Sequence, residues 1–233
     1  MERIDKIISS QGLYSRSEIK KLIQQKRVKV NENVVFKSDM KIDKYSMEIK
    51  IDDVPIVIKN NIYLMLNKPE GYVSATKDNK EKTVLDLVPQ EYQKRELFPA
   101  GRLDKNTTGL MIITDDGKMA HNILAPKKHI SKKYEVTIDV PVTQEMQDGF
   151  KIGVELSDGK CKSSEMKITG IYTAEVTLTE GRYHQIKRMF GCFGAKVIKL
   201  HRIQMGNLKL PMNLKIGEIR ELTENELEQL CQK

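Results

Sequence analysis

Leu110, Met111, Ile112 and Ile113 form the stretch that most constrains this chain, an apolar run closed by Gly109 before it and Asp115-Asp116-Gly117 after it. A run this short and this apolar reads as a strand covered on both faces. Asp104 falls on the loop leading into that strand, and Arg102 and Lys105 flank it closely enough in sequence to keep it ionised. A carboxylate in that setting can serve as a nucleophile or as a base. The same residues also suit a plain turn, because Asp is a common turn residue and Thr107 and Thr108 can satisfy local backbone groups. Asp115-Asp116-Gly117 reads most simply as a turn.

The chain has 233 residues, 39% of them hydrophobic, enough for one medium domain with a smaller companion and a real core. Its net charge of +8 predicts attraction to a polyanion, nucleic acid being the obvious candidate, since each neutralised phosphate releases condensed counterions. No long apolar run or polybasic amphipathic anchor points to a membrane. The N-terminus, MERIDKIISSQG, lacks the apolar centre and small-residue cleavage site of a signal peptide, and the expectation is a cytoplasmic protein. Cys161, Cys192 and Cys231 are widely separated, and His121, His129, His184 and His201 show no ligand spacing, so neither a disulfide framework nor a metal site is expected. No dinucleotide or nucleotide-triphosphate loop motif is present.

Over residues 1–59, Ile4, Ile7 and Ile8 recur at helical spacing with Gly12 placed to end the turn. Ser15 and Glu18 have capping-box spacing for a second helix, in which Ile19, Leu22 and Ile23 line one side while Arg16, Lys20, Lys21, Lys26 and Arg27 stay available to solvent. Val28 and Val30, then Val34-Val35-Phe36 beyond Asn31-Glu32-Asn33, read as a small hairpin. The pattern is then lost until the strand Met47 to Ile51, which Asp52-Asp53-Val54-Pro55 breaks. Lys59-Asn60-Asn61 is a plausible hinge, and the domain boundary is placed there.

Over residues 60–233, Ile62 to Leu66 is a compact strand followed by the turn residues Asn67 to Gly71, with Lys68 free to reach phosphate or face water. Thr83 to Val88 reads as a short helix closed before Pro89, and Met119 to Leu124 as a helix packed on the sheet with a structural His121. Pro126-Lys127-Lys128-His129 and Ser131-Lys132-Lys133 form a basic stretch, solvent-facing by default, that leads into the strand Tyr134 to Ile138. Phe150 to Thr179 alternates strands and turns. In EGRYHQIKRMF, Ile186, Met189 and Phe190 share one helical face and His184, Lys187 and Arg188 the opposite one, so one face packs and the other can bind an anion. Gly191-Cys192-Phe193-Gly194 is better read as a helix end than as an RNA-binding loop. Lys196 to Ile203 is a strand, and Thr223 and Glu226 have capping-box spacing for a terminal helix.

The phrase GRLDKNTTGL closely resembles the signature GRLDxxTxGL of the RsuA-like pseudouridine synthases, in which the Asp is the catalytic residue. YLMLNKPEGYVSAT is similar to the opening motif of that family, with a largely structural role beneath the active-site loop. KKYEV is similar to the motif whose Tyr stacks on the target base, here Tyr134. EGRYHQIKRMF is similar to the motif whose basic residue pairs with the catalytic Asp, which places Lys187 in that role, with Arg188 as the neighbouring alternative. Leu200 matches a position that packs against the active site, and Arg202 lies in the LHR phrase that follows. SRSEIKKLIQQKRVKVNENVV resembles the S4 RNA-binding module, with Lys26 and Glu32 where that module often carries glycine.

These resemblances imply an α+β fold: a mostly antiparallel, mixed β-sheet catalytic domain over residues 60–233, and a small S4-like RNA-binding domain over residues 1–59. The implied reaction turns uridine into pseudouridine within RNA without a cofactor, by base flipping and an essential Asp104, with Tyr134 stacking on the base and Lys187 holding the carboxylate charged. Arg16, Lys20, Lys21, Lys26, Arg27, Arg102, His184, Arg188 and Arg202 would meet RNA, with Arg102 filling the space vacated by the flipped base. The wording TTGLMIITDDG, RYHQIKRMF and KLHRIQMG looks most like the branch acting on small-subunit (16S) ribosomal RNA. The expected partner is therefore small-subunit ribosomal RNA or an assembly particle, met by a monomer away from membranes. Large-subunit RNA, or a non-catalytic S4-domain assembly factor, are the alternatives.

Overall fold

The computed structural model describes residues 1–125 and 130–231. Pro126 to His129, half of the basic stretch named above, lie outside the described residues. Two compact units emerge: Met1–Ile62 with Val88–Leu97, and Tyr63–Leu87 with the described residues of Phe98–Lys233.

In the first unit, β1 (Glu2–Arg3) leads into α1 (Ile4–Ser10), and α2 (Arg16–Gln24) opens on a complete capping box. Glu18 N–H donates to Ser15 Oγ (3.3 Å), and Ser15 N–H to Glu18 Oε2 (2.6 Å). The far end of α2 closes with Lys26 N–H on the Ile23 carbonyl and Arg27 N–H on that of Leu22, both 3.0 Å. This pairing requires a left-handed residue between, and Lys26 supplies it at φ 60 in place of the usual glycine. β2 (Val28–Val30) and β3 (Asn33–Val34) join through Asn31-Glu32, both at positive φ (47 and 68), as the right-handed twist of a tight hairpin demands. Asn33 thus belongs to the strand, not to the turn. β4 (Lys41–Ile42) pairs with β1, and β5 (Ile49–Ile51) returns as β6 (Val54–Pro55) through Asp52-Asp53 at φ 52 and 63. The expected break at Asp52 to Pro55 is therefore a second hairpin. Ile4, Ile8, Ile19, Val28, Ile42 and Ile49 are buried at the centre of the core that these elements enclose.

The second unit is built on a nine-stranded sheet. Its elements in chain order are β7 (Tyr63–Lys68), β8 (Phe98–Pro99), β9 (Thr108–Thr114), α3 (Gly117–Leu124), β10 (Lys132–Ile138), α4 (Gln144–Ile152), β11 (Glu155–Leu156), β12 (Gly159–Lys160), β13 (Glu165–Ile168) and β14 (Thr173–Leu178). They continue with α5 (Gln185–Gly191), β15 (Val197–Met205), β16 (Leu208–Lys209), β17 (Ile219–Glu221) and α6 (Glu224–Cys231). The sheet runs β13-β14-β10-β15-β9-β7-β17, with β8 on β9 and β16 on β15, while β11 and β12 form a separate hairpin. Among the described residues every pairing in it is antiparallel except β9 with β15, which meet in parallel at Thr108–His201 and Gly109–Arg202. Gly109, at φ 103, is required there: a Cβ would lie 2.3 Å from the Arg202 carbonyl oxygen.

Leu110 to Ile113 are completely buried, as the apolar run requires. Asp116 does more than make a turn: it caps α3 by accepting from Met119 N–H (2.9 Å) and accepts the Tyr63 hydroxyl (2.8 Å). Val84–Leu87 is a single 3-10 turn. Helix α4 runs into the start of the Phe150 to Thr179 stretch expected to alternate strands and turns, so that Phe150 to Ile152 are helical. It is N-capped by Thr143 and buries Met146 and Phe150. α5 buries Ile186, Met189 and Phe190 against β10, β14 and β15 in one apolar cluster, and Tyr134 packs on that cluster from β10. Among the described residues no helix is long and apolar enough to cross a membrane.

Candidate active site

The loop between β8 and β9 is held from beneath by residues of the NKPEGYVS stretch. Lys68 is fully buried, and its ammonium donates to the carbonyls of Pro69 (3.0 Å), Asp104 (3.2 Å), Lys105 (3.2 Å) and Thr107 (2.9 Å). It neither faces water nor is free for phosphate. Burial lowers this amine from 10.5 to about 8, while the Asp104 charge opposes the fall. Ser74 Oγ donates to the Leu103 carbonyl (2.8 Å) and accepts from Leu103 N–H (2.9 Å), and Gly71 N–H donates to the Lys105 carbonyl (2.9 Å). The main chain on both sides of Asp104 is thus fixed at several points, leaving the carboxylate about a quarter exposed at the surface.

That carboxylate meets two side chains from the α5 region. Lys187 Nζ lies 2.8 Å from Oδ2, and His184 Nε2 lies 3.5 Å from Oδ1. Lys105, expected to help hold Asp104 ionised, instead pairs with Glu81 (2.7 Å), and Arg102 is exposed and makes no ion pair among the described residues. The cation beside Asp104 therefore comes from a position 83 residues away.

The shared basic face expected of His184, Lys187 and Arg188 is not formed. His184 precedes α5 in a left-handed conformation (φ 47, ψ 36), with its ring stacked on that of Tyr183 at 3.9 Å between centroids. Arg188 turns away and forks onto Asp158 (2.5 and 3.2 Å), which holds the Asp158 carboxyl below its usual range. Arg182 reinforces the same hairpin through the Gly159 carbonyl (2.7 Å).

Arg202 is a correction of a different kind. Expected at the RNA surface, it is buried in β15, where its Nε donates to the Leu110 carbonyl (2.7 Å) and its Nη2 has no hydrogen-bond partner among the described residues. Its charge lies opposite Tyr134 across the β10–β15 register and helps depress the Lys132 amine, which burial lowers to about 8. Lys132, in the stretch read as solvent-facing, is half-buried, with its amine on the Ile130 carbonyl (2.7 Å). Tyr134 itself is half-buried on the face covered by α5, the helix that carries Lys187.

In the first unit, Arg16, Lys20, Lys21 and Lys26 are exposed and make no ion pair among the described residues, whereas Arg27 is committed to a bidentate pair with Asp52 (both 2.6 Å). Among the described residues no group of three or more His, Cys, Asp or Glu side chains converges as metal ligands would.

The site is thus a half-buried carboxylate gripped by a lysine, on a loop fixed from below and carried by a mixed sheet, in a chain that also holds a small basic unit. The RNA pseudouridylate synthase family model matches residues 62–191 and the S4 domain model residues 2–54, and the chain belongs to that synthase family with an S4 domain at its N-terminus. It is an RNA pseudouridine synthase, an isomerase acting on RNA. Over 230 residues it is 38% identical to a Bacillus subtilis protein named "Uncharacterized RNA pseudouridine synthase YtzG", covering 97% of this chain and 96% of the relative. It is 37% identical to the ribosomal small subunit pseudouridine synthase A of Haemophilus influenzae, covering 98% of this chain and 99% of the relative. A crystal structure described as a pseudouridylate synthase superposes with a TM-score of 0.70 at 36% identity, covering 99% of this chain and all of that one.

Proposed function

We propose that this enzyme converts one specific uridine of bacterial small-subunit (16S) ribosomal RNA into pseudouridine, in the cytoplasm, as a monomer and without a cofactor. The observation that carries the reading is the 2.8 Å pair between Lys187 and the half-buried Asp104 carboxylate. In the reaction the bond between uracil N1 and ribose C1′ breaks, the ring turns over, and C5 bonds to C1′ as its hydrogen leaves. Asp104 acts at the ribose, and Lys187 pairs with it as a point charge. The target atoms are inaccessible in stacked RNA, so the nucleotide is flipped out at a cost of about a few kcal/mol, offset by stacking and phosphate contacts. Tyr134 supplies the stacking surface, and the exposed Arg102 fills the space left in the RNA. Residues 1–59 serve as the S4-like RNA-holding segment through Arg16, Lys20, Lys21 and Lys26, and residues 60–233 as the catalytic segment. The name borne by the Haemophilus relative supports small-subunit RNA as the substrate.

Tritium release from RNA labelled at uridine C5 tests this, because forming the new bond expels that hydrogen. Wild type and Asp104→Asn are compared on small-subunit RNA, large-subunit RNA and partly assembled particles. The expectation is release on small-subunit material that disappears in the variant. Release on large-subunit RNA alone overturns the substrate, and no release despite tight, salt-sensitive binding favours an assembly factor.

A further inference from the structure

Tyr183 is 72% exposed, a large aromatic ring in water beside the Asp104 site. One face of it is covered by His184, whose ring lies nearly parallel at 19°. His184 reaches this position through a left-handed backbone, which costs a residue with a Cβ about 1–2 kcal/mol. Strain of that size persists where surrounding contacts impose it, and such outliers cluster at ligand sites. Here it aims the ring in two directions at once, flat against Tyr183 and with Nε2 toward Asp104 Oδ1.

The rest of Tyr183 is equally constrained. Its carbonyl accepts from Arg188 Nη1 (3.3 Å), and Arg188 is itself anchored on Asp158. Arg182 is engaged with the Gly159 and Lys160 carbonyls, so the two neighbouring arginines are both directed onto the β11–β12 hairpin. The outcome is a flat aromatic plane, backed on one side by a histidine whose Nε2 lies 3.5 Å from Asp104 Oδ1. Its uncharged π-face suits a nucleobase, and every base offers a complementary face.

We propose that Tyr183, backed by His184, is a stacking platform for a nucleobase adjacent in sequence to the target uridine. This rests on the reading that the target reacts at Asp104. A uridine pulled from its stack loses its neighbours, and a platform one ring from the site recaptures one of them, so that Tyr183 contributes to affinity and to choice of sequence context.

The test uses the full chain and a short single-stranded RNA containing one uridine flanked on one side or the other by 2-aminopurine, whose emission is quenched on stacking. With the probe on the correct side, the wild-type complex is dimmer than that of Tyr183→Leu, and Tyr183→Phe matches wild type. On ribosomal RNA, Tyr183→Leu raises KM about 5- to 150-fold, the range for loss of one base-aromatic stack, while kcat falls far less. Equal emission from wild type and Tyr183→Leu with the probe on either side overturns the proposal. So does a fall in kcat at unchanged KM, which indicates that Tyr183 only props His184. The fluorescence arm needs no turnover, whereas tritium release by Asp104→Asn tests the underlying reading, so either can fail alone.

Discussion

Replacing Lys68 by Met keeps the length of the side chain and removes the ammonium under the Asp104 loop. Four carbonyls then lose a donor at 2.9–3.2 Å. Counting about one orphaned acceptor per lost proton at about 1–3 kcal/mol each gives a loss of roughly 3–9 kcal/mol. Relief of the burial that lowers the amine from 10.5 to about 8 returns about 3 kcal/mol. The middle of the remaining range is a net loss of about 3 kcal/mol at pH 7, read by urea unfolding. The loss also grows with pH. Folded Lys68 releases its proton near 8 and unfolded Lys68 near 10.5, so between those values the unfolded chain binds more protons and the wild type gains stability as pH rises. From pH 7 to pH 9.5 the gap between wild type and Lys68→Met widens by about 2 kcal/mol. In tritium release kcat falls about 100-fold, because the backbone of Asp104 is among the groups set adrift and misplacement by about 1 Å costs that much. A variant within about 1 kcal/mol of wild type in stability and about threefold in kcat refutes the reasoning.

Lys187→Met is expected to lower kcat by about 100-fold or more, while Arg188→Met, which releases the Asp158 hairpin and the Tyr183 carbonyl but no contact to Asp104, lowers it by less than about tenfold; equal effects in tritium release reject the division of roles. Lys26→Gly relieves the left-handed strain at the end of α2 and is expected to stabilise the first unit by about 0.5–1 kcal/mol, so a lower midpoint in thermal melting contradicts that account. Gly109→Ala drives a Cβ into the β15 backbone and is expected to cost about 3 kcal/mol or more in urea unfolding, with a near-neutral result refuting the close approach. Neutralising Arg16, Lys20 and Lys21 together is expected to flatten the dependence of RNA affinity on salt, by about 0.7–0.9 in log-log slope for each phosphate that no longer meets a cation, measured by filter binding.

Features set by near neighbours were legible in the sequence. The capping boxes at Ser15/Glu18 and Thr223/Glu226 form as their spacing predicts, because each is closed within one turn of helix. The apolar face Ile186, Met189 and Phe190 is likewise buried as its period requires. What failed depended on distant partners. Lys68 reads as a surface cation until carbonyls 36 to 39 residues away converge on it, and Arg202 until the Leu110 carbonyl, 92 residues away, takes its Nε. Lys105 is drawn off Asp104 by Glu81, a pairing that no local pattern foretells. His184 breaks the helical period because its own backbone is left-handed, and α4 carries Gly149, a poor helix former, in its interior.

The parallel contact of β9 with β15 covers only two residue pairs, yet it is the seam between the two halves of the large sheet. Asp104 enters from the half containing β7 and β9, whereas Tyr134 and the helix bearing Lys187 belong to the half containing β10, β14 and β15. Neither half holds a charge-compensated Asp104 until the seam closes. The pair between Asp104 and Lys187 is therefore a contact that only the completed sheet can hold. Anything that loosens the seam without unfolding either half separates Asp104 from Lys187.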